Sequence, residues 1–238
     1  MNTKQAILLA GGKGTRLRPY TVVLPKPLMP IGEFPILEII VRQLVRGGFE
    51  KITMAVNHQA ELIQAFFGNG EKWGVEIEYS LEYQPLGTIA PLKLIENLPD
   101  NFLVMNGDIL TDLDFSEFYA RHVQSESLFT ISSHMREQKV DYGVLETDSE
   151  QRLIGFSEKP RTTYQVSMGI YMVNRAVLDY IPIGQAYGFD TLMLDLIASG
   201  KGVSVNPYEG YWLDIGRPDD YTQAIDQFES MKDKFLDG

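Results

Sequence analysis

The sequence predicts an α/β fold of three layers, in which helices cover both faces of a mostly parallel central sheet with an antiparallel extension. Two observations indicate this. Up to about residue 108, short apolar runs alternate with segments that repeat apolar residues at helical spacing, the order typical of parallel sheets. Further along, four strand-like runs follow one another across short turns, which favours antiparallel pairing.

The first half of the chain begins with a continuously apolar run that ends in glycines, as expected for a strand buried on both faces. Its first helix stops at Gly47 and Gly48, a common C-terminal signal. In order, the pattern predicts strand 5–10, helix 36–46, strand 52–56, helix 60–67, strand 75–79, helix 88–97 and strand 102–105.

The second half changes from alternation to consecutive strands. The pattern predicts strands at 128–133, 142–147, 152–157 and 166–173, then helices at 175–180, 191–198 and 218–228. Pro218 fits the first turn of the last helix, where its missing N–H costs nothing. No linker, internal repeat or low-complexity segment interrupts the chain, so we expect one domain over residues 1–238.

Composition excludes several classes of protein. The chain has 238 residues, 44% of them hydrophobic, and a net charge of −11, which argues against nucleic acid because that partner is bound through lysine and arginine. No run approaches the roughly 20 apolar residues of a membrane span, so no membrane association is expected. The chain has no cysteine, which excludes disulfides and fits a cytoplasmic location. The oligomeric state stays open, with a homodimer as one candidate.

The N-terminal segment is basic although the chain is acidic. Residues 1–32 contain no Asp or Glu but hold five cations, and glycines follow the first strand. Glycines let backbone N–H groups approach an oxyanion, and nearby cations neutralise it, so this loop is suited to a phosphate. It matches neither a Walker A loop nor a dinucleotide fingerprint, because Gly14 follows Lys13 and Leu17 follows Arg16.

Residues 10–28, AGGKGTRLRPYTVVLPKPL, resemble the signature of the sugar-1-phosphate nucleotidyltransferases, or NDP-sugar pyrophosphorylases. Within that family the chain is similar to guanylyltransferases of mannose or heptose 1-phosphate. The resemblance implies a Rossmann-like α/β/α fold. Further motifs match in the same order over nearly the whole chain: Leu86-Gly87-Thr88, Asn106-Gly107-Asp108, Tyr142-Gly143-Val144, Glu158-Lys159-Pro160, Met168-Gly169-Ile170-Tyr171 and Trp212-Leu213-Asp214-Ile215-Gly216.

The reaction that the resemblance implies joins a nucleoside triphosphate to a sugar 1-phosphate and releases pyrophosphate. The attacking phosphate oxygen is already an anion, so the obstacle is repulsion between two polyanions, and catalysis rests on positioning and positive charge. The resemblance assigns Arg16 to the triphosphate and Lys26 to the α-phosphate. Lys13 could equally face solvent, and Arg18 could anchor the loop. The implied nucleotide-binding residues are Gly11, Gly12, Gly14, Thr15, Arg16, Lys26, Glu82, Gly87 and Thr88.

The resemblance also implies a Mg²⁺ site. Asp108 follows a buried strand, where a carboxylate can hold Mg²⁺ against phosphate oxygens, and the family uses a second carboxylate that corresponds to Asp214. Asp108 is therefore expected to act in catalysis. Asp112 and Asp114 form a D-x-D, which holds a metal in nucleotide-sugar glycosyltransferases, but we interpret it as a solvated turn that opens a helix at Phe115.

For the sugar phosphate, the resemblance implies Gly143, Glu158, Lys159 and Tyr171. Lys159 would bind the phosphate, Glu158 the sugar hydroxyls, and Gly143 would let the backbone approach the ring. Many relatives carry Asn-Ala-Gly where this chain has Ser167-Met168-Gly169, so the identity of the sugar stays open.

Glu82 bears on the choice of base. A carboxylate there could accept hydrogen bonds from N1–H and N2–H₂ of guanine but would repel the carbonyl oxygens of uracil, which favours GTP. The alternative is that Gln84 or the backbone contacts the base. Other functions stay open as well: uridylyl or cytidylyl transfer, a metal-dependent glycosyltransferase, or a catalytically silent NDP-sugar-binding regulatory subunit.

Overall fold

The structure is a computed structural model that describes residues 3–57, 59–82, 84 and 86–236. Helices with an apolar face alternate with buried strands. The α-helices are α1 (Ile36–Arg46), α2 (Ala60–Phe67), α3 (Phe115–Ser125), α4 (Phe189–Ala198) and α5 (Pro218–Leu236). The strands are β1 (Gln5–Leu9), β2 (Pro30–Ile31), β3 (Phe34–Pro35), β4 (Lys51–Val56), β5 (Glu76–Leu81), β6 (Asn101–Asn106), β7 (Ile109–Thr111), β8 (Phe129–Lys139), β9 (Gly143–Thr147), β10 (Leu153–Glu158), β11 (Arg161–Asn174), β12 (Val203–Pro207) and β13 (Trp212–Asp214).

A seven-stranded sheet forms the middle layer, in the order β12-β8-β11-β6-β1-β4-β5. The strands β1, β4, β5 and β6 run parallel, and β12 is parallel to β8, whereas β11 is antiparallel to both β6 and β8. Two-stranded sheets join β9 with β10, β7 with β13, and β2 with β3. The predicted fold, a mostly parallel sheet with an antiparallel extension, is confirmed.

Helices cover both faces of this sheet because successive strand residues point to opposite sides. In β1, Leu8 belongs to a buried cluster that includes residues of α1, α2, α3 and α5. Its neighbour Ile7 belongs to a second buried cluster with Leu92 and with Leu192 and Leu196 of α4. The two clusters are the interfaces between three layers, and the carboxyl ends of β1 and β6 open onto the loops described below.

The predicted helix at 88–97 is wrong. Only Ala90–Leu94 forms a short 3-10 helix, with a proline in its first turn. The N–H groups of Ile89 and Ala90 both donate to the carbonyl of Tyr187, at 3.3 Å, and Asn97 has φ +56. Contacts with a segment about 100 residues away therefore replace the helical pattern here. Arg175–Tyr180, also predicted as a helix, is likewise a 3-10 helix.

Some strands are longer than the sequence predicts, and others are additional to the prediction. β8 and β11 are longer than expected and pair antiparallel, with an irregularity between Ser167 and Tyr171, while β7, β12 and β13 were not predicted. All three of these are short or partly polar, and they are fixed by distant partners.

Among the described residues, no helix has the length and apolar character that crossing a bilayer requires.

Candidate active site

The basic loop after β1 folds back on itself at Gly14. This glycine has φ +59, and a Cβ placed on it would lie 2.9 Å from Cγ2 of Thr21 and 3.2 Å from Cβ of Lys26. The Thr21 hydroxyl donates to the Gly14 carbonyl at 2.7 Å. A residue without a side chain is required at this point, and its contacts bring Lys26 beside the start of the loop.

Lys26 reaches from this loop to the end of β6. Its side chain is buried, and Nζ donates to Oδ2 of Asp108. Asp108 is held there by Gly107, whose N–H donates to the Leu9 carbonyl at 3.0 Å. A Cβ on Gly107 would lie 3.2 Å from that same carbonyl. The adjacent parallel strands β1 and β6 thus place a cation from one loop against an anion from the other.

Asp214 lies beside Asp108 because β13 pairs with β7. In this ladder Asp214 is opposite Ile109, and the N–H of Ile215 donates to the Asp108 carbonyl at 3.1 Å. Burial raises the pKa of Asp214 above its ordinary value, and the neighbouring Asp108 carboxylate raises it further, while Lys26 and Arg16 act in the opposite direction. Two acids predicted from separate motifs therefore meet at one place.

These two carboxylates suit a divalent cation. Oδ1 of Asp108 is buried and has no hydrogen-bond partner among the described residues, and the pKa of Asp214 is raised by burial and further by the Asp108 carboxylate beside it. A hard cation such as Mg²⁺ binds through one or two carboxylates together with substrate phosphates. The described residues contain no cluster of three or more potential His, Cys, Asp or Glu ligands.

Arg16 of the same basic loop lies near Asp214. It lies in a 3-10 turn, Thr15–Leu17, which is anchored by the fully buried Leu17. A Cβ on Gly216 would lie 3.4 Å from Nη1 of Arg16 and 3.4 Å from Oδ2 of Asp214. The guanidinium and this carboxylate therefore flank the same glycine, and the two predicted catalytic cations, Arg16 and Lys26, both adjoin the acidic pair.

The other loop residues differ in exposure. A Cβ on Gly11 would lie 3.2 Å from Cβ of Asn57, whereas none of the described residues has an atom within 4 Å of a Cβ on Gly12. Gly11 is thus a packing position and Gly12 is open to a ligand. Thr15, Lys13 and Arg18 are exposed.

The predicted base-binding segment, residues 82–88, is held by its own hydrogen bonds. Oε1 of Glu82 accepts from the N–H of Leu86, and Oγ1 of Thr88 accepts from the N–H of Phe189 at 2.8 Å. Gly87 has φ +85, and a Cβ there would lie 2.7 Å from the Tyr187 carbonyl oxygen. Glu82 therefore holds the loop from within, whereas Gly87 and Thr88 fix it against the segment that enters α4. Tyr83 and Pro85 lie outside the described residues.

The D-x-D motif is fixed by the protein itself. Asp112 accepts hydrogen bonds from the Tyr208 hydroxyl and from the Tyr211 N–H. Asp114 is the N-cap of α3 and accepts from the Glu117 N–H at 2.9 Å. The expectation that this motif opens a helix at Phe115 is confirmed, but Asp112 is bonded within the fold rather than solvated.

Two cavities adjoin Asp214. One, of about 870 Å³, includes Arg16, Lys139 and Arg217 in its lining. The other, of about 350 Å³, includes Asn106, Tyr171, Phe189 and Trp212. Both are also lined by Arg136, Val166 and Asp214. A larger charged cavity and a smaller aromatic one therefore share a wall at Asp214, an arrangement that can bring two bound groups together.

Tyr171 belongs to the wall of the smaller cavity and not to an open surface. It is 7% exposed, its ring stacks on Phe189 at 4.2 Å between centroids, and its hydroxyl accepts from the Ser167 hydroxyl at 3.2 Å. Burial raises the pKa of its hydroxyl. Phe189 and Trp212 were not predicted as site residues, since an aromatic residue in a helical or strand pattern gives no local signal of a cavity.

The remaining predicted sugar-phosphate residues lie together on the β9–β10 hairpin. Gly143 pairs with Glu158, and a Cβ on Gly143 would lie 2.8 Å from the Phe156 ring. Lys159 follows with φ +46 and is exposed. Tyr171 is near the other end of β11, so the structure groups three of these residues and places the fourth in the smaller cavity.

Comparison with known proteins gives matches over most of the chain. Residues 5–231 match the sequence model of a protein family described as nucleotidyl transferase. The chain is 36% identical over 241 residues to a UTP–glucose-1-phosphate uridylyltransferase of Synechocystis sp., covering 93% of this chain and 62% of that protein. It is 30% identical to a D-glycero-α-D-manno-heptose 1-phosphate guanylyltransferase of Aneurinibacillus thermoaerophilus, covering 92% of this chain and 96% of that protein.

Among solved structures, the fold is similar to that of HddC from Yersinia pseudotuberculosis complexed with GMP-PN. The TM-score is 0.72 at 25% sequence identity, over 95% of this chain and 100% of that chain. Several of the curated relatives are longer, and the chain spans about 62% of their length.

Proposed function

Because the chain belongs to the nucleotidyl transferase family, we propose that it transfers a nucleotidyl group from a nucleoside triphosphate to a sugar 1-phosphate. A phosphate oxygen of the sugar phosphate forms a bond to the α-phosphorus of the triphosphate. The bond from that phosphorus to the oxygen bridging to the β-phosphate breaks, and pyrophosphate leaves. The observation that carries this proposal is the convergence of Arg16, Lys26, Asp108 and Asp214, of which Asp214 lies in the wall shared by two cavities.

This reaction needs no general base, since the attacking oxygen is already ionised. At an effective dielectric constant of about 20, two unit charges roughly 4 Å apart repel by about 4 kcal/mol, and the two substrates bring several such pairs together. Arg16 offsets the charge that develops on the leaving pyrophosphate. Lys26 offsets the charge of the α-phosphate, with positioning of the two substrates supplying the rest.

Asp108 and Asp214 would hold Mg²⁺, through the otherwise unpartnered Oδ1 of Asp108 and the carboxylate beside it. The ion would neutralise phosphate charge and orient the triphosphate. Lys26 pairs with Asp108 in the structure, and we propose that it exchanges this partner for the α-phosphate when substrate arrives.

We propose GTP as the triphosphate. Although Glu82 accepts from Leu86 N–H through Oε1, a carboxylate has about four lone-pair sites, so it retains capacity for the N1–H and N2–H₂ groups of guanine. The Aneurinibacillus relative is named a guanylyltransferase, which supports guanine, whereas the Synechocystis relative is named a uridylyltransferase. A manno-configured hexose or heptose is the corresponding proposal for the sugar.

The contacts made by the D-x-D motif argue against a metal-dependent glycosyltransferase. Asp112 is bonded to Tyr208 and Tyr211, and Asp114 caps α3, so both carboxylates serve the fold. A catalytically silent regulatory subunit is disfavoured by the charges of the cleft, because such a protein has no need for Arg16, Lys26 and both acids.

Pyrophosphate release tests the proposed function. We expect release with GTP and mannose 1-phosphate or a manno-heptose 1-phosphate, in the presence of Mg²⁺ only. UTP, CTP and dTTP, and glucose 1-phosphate, complete the panel and decide the base and the sugar. Absence of release with every combination would overturn nucleotidyl transfer and favour the silent regulatory subunit.

A further inference from the structure

We propose that Arg136 binds the phosphate of the sugar 1-phosphate, an inference that rests on the proposed nucleotidyl transfer. Arg136 lines both cavities beside the acidic pair, and so does Asp214. The two substrates must meet at this shared wall, because the attacking phosphate belongs to one and the α-phosphate to the other.

The alternation of side chains along β8 places Arg136 on the same side as His134, since they are two residues apart. His134 packs on Trp212 with ring centroids 5.6 Å apart, and Trp212 is followed two residues later by Asp214 on β13. Arg136 on β8 and Asp214 on β13 both line the two cavities.

The charge of Arg136 is available to a ligand. No acidic side chain of the described residues lies within 4.0 Å of its guanidinium. The neighbouring charges on β8 are paired elsewhere, Glu137 with Arg161 at 2.8 Å and Lys139 with Asp141 at 2.8 Å. A guanidinium presents paired N–H donors that match two phosphate oxygens.

The chemistry requires a cation on the acceptor side. Arg16 adjoins Asp214 from the glycine-rich loop and Lys26 pairs with Asp108, so both approach from the nucleotide side. The sugar phosphate brings a further dianion against the α-phosphate, and a positive group on its own side offsets that repulsion. Lys159, which the resemblance assigns to this phosphate, is not among the residues that line the two cavities, whereas Arg136 lines both. Arg136 lines the smaller aromatic cavity, where the sugar would lie, together with Val166, Tyr171 and other residues of β11.

The test measures binding and needs no turnover. Wild type, Arg136→Gln and Arg136→Lys are titrated by calorimetry with mannose 1-phosphate, glucose 1-phosphate and inorganic phosphate, and separately with a non-hydrolysable GTP analogue. Arg121→Gln is the control, because this exposed arginine of α3 pairs with Glu117. We expect Arg136→Gln to weaken phosphate-ligand binding by about tenfold or more, as for a lost charge-assisted hydrogen bond.

Arg136→Lys should recover part of that loss, while affinity for the GTP analogue should stay within about threefold in both variants. Unchanged affinity for all three phosphate ligands in Arg136→Gln, or wild type that binds none of them, would overturn the inference. An equal loss of affinity for the GTP analogue would also overturn the inference, because it would place Arg136 on the triphosphate. Phosphate binding through Arg136 without any pyrophosphate release would instead overturn the proposed function alone.

Discussion

Lys26 and Asp108 lie 82 residues apart in the chain and form an ion pair at the base of the cleft. The lysine side chain is 9% exposed and the aspartate side chain 23% exposed. The ammonium group also lowers the pKa of Asp214, which the Asp108 carboxylate raises. One cation from the basic loop after β1 therefore compensates two acids, Asp108 just after β6 and Asp214 at the end of β13.

Lys26→Gln should destabilise the protein and make it more dependent on Mg²⁺. Removing one partner of a partly buried pair leaves its counter-charge uncompensated, at a cost of about 1–3 kcal/mol after allowance for the partial exposure of Asp108. Added Mg²⁺ should replace the missing positive charge and restore stability.

Thermal unfolding with and without Mg²⁺ measures both effects of Lys26→Gln. Lys13→Gln, a change of an exposed lysine in the same loop, is the matched control and should behave as wild type. A melting temperature of Lys26→Gln that equals that of wild type in the absence of metal would contradict the compensating role.

Arg16→Ala should lower kcat/KM for pyrophosphate release by at least about 100-fold. The expected loss is that of one preorganised electrostatic contact to a charge that develops in the transition state. Arg18→Ala provides the comparison, because it changes an exposed arginine of the same segment and leaves the buried anchor Leu17 in place. Near-normal kinetics of Arg16→Ala, or an equal loss in Arg18→Ala, would remove Arg16 from the mechanism.

Gly14→Ala should reduce both stability and activity. A left-handed backbone costs an alanine about 1–2 kcal/mol, and its Cβ would lie 2.9 Å from Thr21 and 3.2 Å from Lys26, so Lys26 must shift. Gly12→Ala has open space around it, and we expect wild-type stability with a raised KM for the nucleotide. Denaturant unfolding and steady-state kinetics separate the two, and equal stability of both variants would contradict the steric argument.

Sequence patterns predicted those parts of the molecule whose causes are local. The helix at α1 follows from apolar residues at helical spacing and two glycines, and α3 from its capping aspartate. The segment at 88–97 has a similar local pattern, yet the Tyr187 carbonyl takes the N–H groups of Ile89 and Ala90. Tertiary hydrogen bonds thus override a weak propensity.

The candidate site likewise combines residues that sequence motifs predict with an arrangement that depends on long-range contacts. Arg16, Lys26, Asp108 and Asp214 were predicted from motifs, but their meeting depends on the β7–β13 ladder, which no local pattern reveals. Arg136 was not predicted at all. Its position depends on the register of β8 and on the contact between His134 and Trp212, both of which are long-range.

Glu82→Gln should shift the preference of the protein from GTP toward UTP. A glutamine keeps an oxygen that can accept the Leu86 N–H, so the loop retains its shape while the negative charge is lost. An amide can also donate to a uracil carbonyl, which a carboxylate cannot. The ratio of kcat/KM for GTP and UTP is the measurement, with Glu78→Gln on β5 as the control. An unchanged ratio would leave the base to be selected by Gln84 or the backbone.

His122 should make the free energy of unfolding fall as the pH is lowered from about 7. The side chain is 1% exposed, and burial lowers the pKa of His122 from 6.5 to about 4. Its Nδ1 lies 2.7 Å from the Thr130 hydroxyl and Nε2 lies 3.2 Å from Oδ1 of Asn101. That amide oxygen can only accept, so the neutral ring carries its proton on Nε2.

Between these two pKa values the unfolded chain binds a proton at His122 and the folded chain does not. Stability contributed by the neutral ring is therefore complete above about pH 6.5 and is lost progressively as the pH falls toward 4, by as much as about 3 kcal/mol. Urea unfolding between pH 7 and pH 5, above the range in which most carboxylates titrate, isolates this contribution. His122→Gln should be less stable at pH 7 but show a shallower dependence on pH. A pH dependence of His122→Gln identical to that of wild type would show that His122 is protonated without penalty in the folded state.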